Sequence, residues 1–358
     1  MGQRKFLIAS KDNGGAAVGV PLTLEARPEH GVFAVLEGLA ATRYIAAGIA
    51  PYFKGFENFQ EEPFSVDAAR VIEKINPDAV ITTLGDPIHL EREFGRAANL
   101  LGKPLIFLED IWGCHCRSDA RPDLVLTLDQ SGETIVQKNL GTSVPVTIIG
   151  NHEGASARKL KIPDDVHTKM GELKARHGTV LFYVGGGTYT TAELQLLLKE
   201  CLRKTPGSPA LISRPHPKWA NVQSQEGWTY GAVWKDMLKE LGDQVQVVET
   251  DVPAAIAALA DVTLSGFSTM LVVPVIYGKT AISLATGETR TDMKRQLSVA
   301  QHPLVAPGFV REAASPEDLT PFLEESKPSQ EAVEAYLKPY DSKLALSAML
   351  EFLDRLQS

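Results

Sequence analysis

The side chains best suited to chemistry arrive in three sets, each just after a short apolar run. Asn13-Gly14-Gly15-Ala16-Ala17 follows the first run, Gly185-Gly186-Gly187-Thr188 follows Thr179–Val184, and Ser265-Gly266-Phe267-Ser268-Thr269 follows Val262–Ser265. Glycines let backbone N–H groups come close to a phosphate, and a helix start adds partial positive charge. Gly186, Gly187 and Thr188 therefore read as an anion cradle, and Asn13, Gly14 and Gly15 as a second one, unless the glycines serve only a tight strand-to-helix turn. Ser265, Gly266, Ser268 and Thr269 either cap a helix or bind phosphate through the same hydroxyls and N–H groups. Between these sets lies Ser213-Arg214-Pro215-His216-Pro217-Lys218. Arg214 offers a planar fork for phosphate, and His216 a donor held between two prolines. Neither glycine loop has the spacing of a dinucleotide fingerprint, and no Gly-Lys-Ser/Thr follows either one.

Proton transfer would fall to carboxylates in the first half. Asp12, Asp86, Glu109 and Asp110 all stand at the ends of expected strands, and His30 in Pro28-Glu29-His30-Gly31 is an alternative base. Glu109 and Asp110 are adjacent and point to different sides, so one faces a ligand while the other caps or pairs. Capping or solvation of a loop competes with catalysis for either residue. Cys114-His115-Cys116 looks like metal chemistry, but a structural zinc site needs four ligands and only Cys201 remains, so no metal is expected. Trp112 and Trp219 are candidates to stack on a base or sugar, or else to close a domain edge.

These residues need a scaffold. The chain has 358 residues, which favours two domains over one core. Strands are expected at Lys5–Ser10, Ala79–Thr83, Pro104–Glu109, Leu124–Leu128 and Val146–Ile149, with helices at Val32–Ala47, Val66–Ile75, Ile88–Leu101 and Ser131–Asn139. After a polar stretch, with room for one short helix near Val166–Arg176, the alternation restarts with strands at Thr179–Val184, Pro209–Arg214, Val245–Glu249, Val262–Ser265 and Thr280–Leu284. Helices are expected between them at Thr191–Arg203, Ala232–Leu241, Pro253–Ala260 and Ser268–Tyr277. Such alternation builds parallel sheets covered by helices, which is the α/β class. The expected division is an N-terminal α/β domain at 1–155, a connector at 156–178, a second α/β domain at 179–327 and a helical segment at 328–358. In that last segment Leu346, Met349, Leu350, Leu353 and Leu356 form one stripe.

Composition narrows the function further. Lys plus Arg number 36 and Asp plus Glu 44, a formal charge of −8, which disfavours holding nucleic acid or anionic lipid by bulk charge. No apolar run approaches the ~18 residues of a membrane span, and the N-terminus lacks the apolar core of an export signal, so a cytoplasmic location is expected.

The second half resembles the nucleotide-binding domain of the GT-B glycosyltransferase superfamily, which includes the non-hydrolysing UDP-N-acetylglucosamine 2-epimerases. Leu264-Ser265-Gly266, a helix, Gly278-Lys279, a strand and Thr286-Gly287-Glu288-Thr289-Arg290 are similar to the epimerase block that binds the donor nucleotide. Arg214-Pro215-His216-Pro217 resembles the His-Pro motif of the epimerases, of bacterial sialyltransferases and of CDP-glycerol-type polymerases. In the first half, Gly85-Asp86, a helix, Gly102-Lys103-Pro104 and a strand ending at Glu109 follow the epimerase order. Two departures stand out. Met270 and Leu271 replace the epimerases' paired glutamates, one of which holds the ribose hydroxyls, and the epimerase His-Arg-Arg-Glu-Asn stretch is replaced by Gly185-Gly186-Gly187-Thr188-Tyr189.

The resemblance implies two Rossmann-like domains facing across a cleft. It also implies a metal-independent glycosyltransferase that needs no cofactor beyond a nucleotide-sugar donor. The donor phosphates would be gripped by Gly186, Gly187, Thr188, Arg214, His216, Ser265, Gly266, Ser268 and Thr269. The catalytic carboxylates would be Glu109, Asp110 and Asp12, and Asn13, Gly14, Gly15, His30 and Asp86 would line the acceptor side. The acceptor is open among a glycan, a small molecule and, against the net charge, a nucleic acid; peripheral membrane association and oligomeric state are open as well. A sugar-nucleotide 2-epimerase or hydrolase is the alternative on this fold, and a non-catalytic nucleotide-sugar-binding protein is the alternative from another class.

Overall fold

Phe6 and Ile8 project to one face of the opening strand, Leu7 and Ala9 to the other, and all four are buried. A strand covered on both faces belongs inside a parallel sheet flanked by helices. The computed structural model describes residues 2–52, 64–85, 89–185, 192–205, 207–214, 230–315, 318 and 327–357. The chain divides into a first unit of residues 1–152, 296–298 and 338–358 and a second of residues 153–295 and 299–337.

The first unit contains β1 (Lys5–Ser10), β2 (Gly31–Leu36), β3 (Ala79–Thr82), β4 (Leu105–Leu108), β5 (Leu124–Thr127) and β6 (Val146–Ile148). They form one parallel sheet in the order β2-β1-β3-β4-β5-β6. Its helices are α1 (Asn13–Ala26), α2 (Gly38–Ala46), α3 (Phe64–Ile75), α4 (His89–Leu100) and α5 (Gln130–Leu140). Chain order reverses between β1 and β3, and in open α/β sheets the crevice beyond the strand carboxyl ends at such a reversal is where ligands bind.

Two elements here differ from the sequence expectation. Residues 31–36 form strand β2, paired in register with β1 from Lys5↔Gly31 to Ser10↔Leu36, where a helix from Val32 is expected. A short apolar run has no period to separate strand from helix, and the partner strand decides. The loop expected at Asn13-Gly14-Gly15 is the first turn of α1, capped by Asp12, whose Oδ1 accepts from Gly15 N–H at 2.7 Å. Three glycines and Pro21 disguise this helix, yet Gly19 is needed: a Cβ there would stand 2.2 Å from the Tyr44 hydroxyl of α2.

The C-terminal helix Ser342–Gln357 groups with the first unit. Its Ala345, Met349, Phe352 and Leu353 join Ile8, Leu22 and Leu36 in one core, while Leu356 at the end of the expected stripe is exposed. Tyr340 O–H donates to Val18 C=O at 2.9 Å and ties the helix to α1. Each fully buried large side chain in such a core contributes about 1.5–3 kcal/mol.

The second unit contains β7 (Val180–Val184), β8 (Ala210–Arg214), β9 (Val245–Gln246), β10 (Val262–Ser265), β11 (Thr280–Leu284) and β12 (Arg311–Ala313). The parallel sheet runs β12-β11-β10-β7-β8-β9, so chain order reverses between β7 and β10. Strand β12 and the helix Gly287–Leu297 have no counterpart among the expected elements. Most of the stretch read as a connector is helical, with α6 (His152–Arg158) followed by α7 (Asp164–His177). Val166, Met170 and Leu173 of α7 are buried at helical spacing. Lys174 Nζ lies 2.6 Å from Asp261 Oδ1, and Asp261 Oδ2 accepts from Val180 N–H at the start of β7. The short helical stretch expected near Val166–Arg176 is thus the full helix α7, docked by these three buried residues.

Candidate functional site

The reversal in the second sheet collects two of the expected sets. Gly185 follows β7 and donates its N–H to Arg214 C=O at 2.9 Å, and Ser265-Gly266 follows β10. Ser265 is fully buried and its Oγ has no partner among the described residues. Ser283 Oγ–H donates to Gly266 C=O at 3.0 Å, which fixes the turn. Ser268 Oγ accepts from Met270 N–H at 3.2 Å, capping the turn Thr269–Leu271 that leads into the helix Val272–Ile276.

His302 holds this loop from outside. Its Nε2 lies 3.2 Å from Ser268 C=O, its Nδ1 accepts from Leu304 N–H at 3.3 Å, and its ring packs on Phe267 at 5.2 Å. Burial pushes the imidazole down to about 4 despite the bond to Ser268, so the ring is neutral and Nε2–H is the donor. Nothing in the sequence marks His302 for this position.

Arg214 ends β8, and its Nη1 donates to Thr250 C=O at 2.7 Å, which aims the guanidinium. A cavity of about 780 Å³ opens beside it, bordered also by Ser213, Leu238, Thr250 and Ile256. Gly186, Gly187, Thr188, His216 and, in the first unit, Asp86 lie outside the described residues, as does Trp219.

The reversal in the first sheet collects carboxyls. Asp12 follows β1, Asp110 follows β4, and Glu91 reaches in from α4. Glu91 Oε1 accepts from Lys11 N–H at 2.9 Å and from Gly85 N–H at 3.3 Å, the N–H groups just past β1 and β3. A Cβ on Gly85 would lie 2.9 Å from both Asp12 Cγ and Glu91 Oε1, so these two carboxyls flank one point. A Cβ on Gly14 would lie 1.9 Å from Asp110 Oδ2. The glycines therefore make room for the protein's own acids, which corrects the expectation of a phosphate cradle at Asn13, Gly14 and Gly15. Anions are repelled where three acids converge. The signal for Glu91 was present in the sequence, since it falls on the buried stripe of Phe94 and Ala98 in α4.

Burial, reinforced by Asp12, pushes the Glu91 carboxyl up to about 7 against the bonds from Lys11 and Gly85, and burial raises Asp110 well above the carboxylate range. A raised acid favours the protonated fold, so Glu91 costs stability as pH climbs from about 4.5 through 7. Glu91→Gln is expected to stabilise the protein by about 1–3 kcal/mol at pH 8 and to change little at pH 5. Urea unfolding at the two pH values checks this; equal effects at both contradict it.

Glu109 occupies a different place from the one expected of a base. It is fully buried, and its Oε1 lies 2.7 Å from His115 Nδ1 and accepts from His115 N–H at 3.3 Å. Cys114 Sγ stands 3.7 Å from the same oxygen, and Thr127 Oγ1–H donates to Oε2 at 2.6 Å. Both oxygens are spent inside the unit. Asp110 alone of the adjacent pair keeps an oxygen without a partner. Burial opposes charge on His115, but the bonds with Cys116 and Glu109 outweigh it and raise the ring to about 9. The Asn139 amide lies 3.1 Å from both His115 Nε2 and Cys116 Sγ. Among the described residues no group of His, Cys, Asp and Glu is arranged to hold a metal ion.

Two further expectations are corrected. His30 sits at the amino end of the sheet, before β2, where its Nδ1 accepts from Arg4 N–H at 3.3 Å and its ring meets Phe6 edge-on at 5.5 Å. It is buried and far along the strands from the carboxyl ends. Trp112 is fully buried with Nε1–H donating to Asp129, so it presents no face for stacking.

Two parallel six-stranded α/β units of these strand orders are the architecture of GT-B proteins. Among solved structures, the chain is similar to the S. aureus MnaA–UDP co-structure at 13% identity, covering 99% of this chain and 97% of that one with a TM-score of 0.68. It is similar to UDP-GlcNAc 2-epimerase from Neisseria meningitidis bound to UDP-GlcNAc at 14% identity, 97% and 100% coverage and a TM-score of 0.67. A glycosyltransferase from Rickettsia africae ESF-5 matches at 12% identity over 100% of both chains with a TM-score of 0.60. Such identities speak for the fold. No protein-family model and no curated protein matches the sequence. Among the described residues no helix is long and apolar enough to cross a membrane.

Proposed function

We propose that the chain is a nucleotide-sugar glycosyltransferase of GT-B type, with the donor held by the second unit and the acceptor by the first. The observation that carries this is the strand reversal between β7 and β10, flanked by Gly185 and by Ser265-Gly266, with Arg214 at the end of the next strand. A leaving diphosphate gains negative charge as the sugar C1–O bond breaks, and oriented N–H groups, hydroxyls and a guanidinium stabilise it. Gly186, Gly187, Thr188, His216, Ser268 and Thr269 would complete that grip, and the cavity beside Arg214 would take the rest of the nucleotide. The acceptor hydroxyl must lose its proton as its oxygen bonds to C1. Asp110, with Asp12 beside it, is the proposed base, and Glu109 is a positioning residue that holds the His115 turn. No metal takes part in this scheme.

The likeness to UDP-GlcNAc 2-epimerases supports a second reading, epimerisation of the donor itself. Incubating the protein with UDP-GlcNAc alone and following C2 by NMR separates the two. A transferase leaves the donor unchanged without an acceptor, and accumulation of the 2-epimer would overturn transfer in favour of epimerisation.

A further inference from the structure

Glu91 and Asp110 each keep one oxygen that nothing among the described residues satisfies. Glu91 Oε2 and Asp110 Oδ1 are buried without a hydrogen-bond partner, and Asp110 is only 7% exposed. Both belong to the crevice beyond the carboxyl ends of β1, β3 and β4, and Asp12 stands beside each of them.

The charges facing this point do not balance. Lys11 Nζ is engaged by Glu37 at 2.9 Å. Arg117 lends its charge to Asp110, and its Nη1 donates to Leu84 C=O at 3.0 Å, the residue before Gly85. Glu109, next in sequence to Asp110, is neutralised by His115. Among the described residues, Arg117 is the cation whose charge reaches Asp110. Burial raises both Glu91 and Asp110, so each gains from a cation that favours its ionised form.

We propose that the first-unit crevice binds a primary ammonium group, with Asp110 and Glu91 as its carboxylate partners and Asp12 alongside. Identifying this ligand with the acceptor rests on the transferase proposal, and makes the acceptor an amine-bearing sugar or small molecule. Binding itself requires no transfer. The ammonium arrives charged, the carboxyl O–H breaks, its proton passes to solvent, and an N–H···O bond forms to the carboxylate left behind. Near neutral pH one proton therefore enters the buffer for each carboxyl that ionises.

The test is calorimetric titration of the full chain at pH 7 with glucosamine, N-acetylglucosamine and glucose, in two buffers of different ionisation enthalpy. Glucosamine is expected to bind at least about tenfold tighter than either neutral sugar, with a buffer-dependent heat that reports proton release. Asp110→Asn should weaken glucosamine about tenfold or more, and Glu91→Gln should reduce the proton release, with circular dichroism verifying that both variants fold. Equal binding of glucosamine and N-acetylglucosamine, or no binding of glucosamine, overturns the proposal. So does binding of Mg²⁺ alone that Asp110→Asn abolishes, since that would make the acids a metal site. Titration of UDP on the same protein separates the two claims: UDP bound without glucosamine sinks the amine site alone, and glucosamine bound without any nucleotide sinks the donor assignment alone.

Discussion

Glu109→Gln is expected to destabilise the first unit by about 3–5 kcal/mol, because it removes the charge partner of a buried imidazolium. His115 is enclosed, its Nδ1 lies 2.7 Å from Glu109 Oε1, and the ring is raised to about 9 by the bonds with Cys116 and Glu109 acting against burial. A glutamine keeps the volume but supplies only a neutral amide. It also brings an N–H₂ group where Thr127 Oγ1–H and His115 now both need an acceptor.

The pH dependence has a definite sign. A histidine raised in the fold contributes stability that is fully present below the unfolded value of about 6.5 and is lost as pH rises through about 9. The difference between Glu109→Gln and the parent should therefore shrink over that window. Thermal and urea unfolding at pH 6 and pH 9 read this out. An unchanged midpoint at pH 6 would mean that the pair adds nothing to the fold. Nucleotide affinity, assigned to the second unit, should not move.

Arg214→Ala is expected to weaken nucleotide binding by about 1–3 kcal/mol, or roughly 5- to 150-fold, as the loss of a charge-assisted contact to phosphate. The guanidinium is half-buried at the end of β8, with one arm fixed by Thr250 C=O at 2.7 Å. Fixing one arm lowers the entropy lost when the others engage. Arg214→Lys should recover only part of the affinity, since an ammonium keeps the charge without the two-pronged geometry. Titration of UDP into both variants checks the series. Wild-type affinity in Arg214→Ala would remove Arg214 from the donor site.

The strands that bear the site were legible because each is a short apolar run ended by Gly, Ser or a charged residue. β1, β7, β8, β10 and β11 lie within a residue of where sequence patterning puts them. What patterning could not supply is strand order. The two reversals, between β1 and β3 and between β7 and β10, exist only once the sheets form, and they decide which loops meet. The second reversal brings the strand ends before Gly185 and at Ser265 side by side. The first joins acids where glycines had suggested an anion cradle.

Adjacency in sequence likewise does not say which carboxylate turns inward. Glu109 and Asp110 differ by one pleat, and it is the inward Glu109 that the His115 turn claims. His30 looked catalytic by type, yet pairing of β2 with β1 puts it at the amino end of the sheet. Glu91 and His302 were missed for opposite reasons. The first hides as one polar residue on an apolar helix stripe, and the second contacts Ser268 across 34 positions of sequence.

The central claim is that the C-terminal lobe grips a nucleotide diphosphate, and direct calorimetry tests it. UDP comes first in the panel because similar structures hold UDP or UDP-GlcNAc, followed by CMP, CDP, GDP and dTDP. The claim predicts saturable one-to-one binding of at least one of them, weakened in Arg214→Ala. Heats of dilution alone across the whole panel would contradict it.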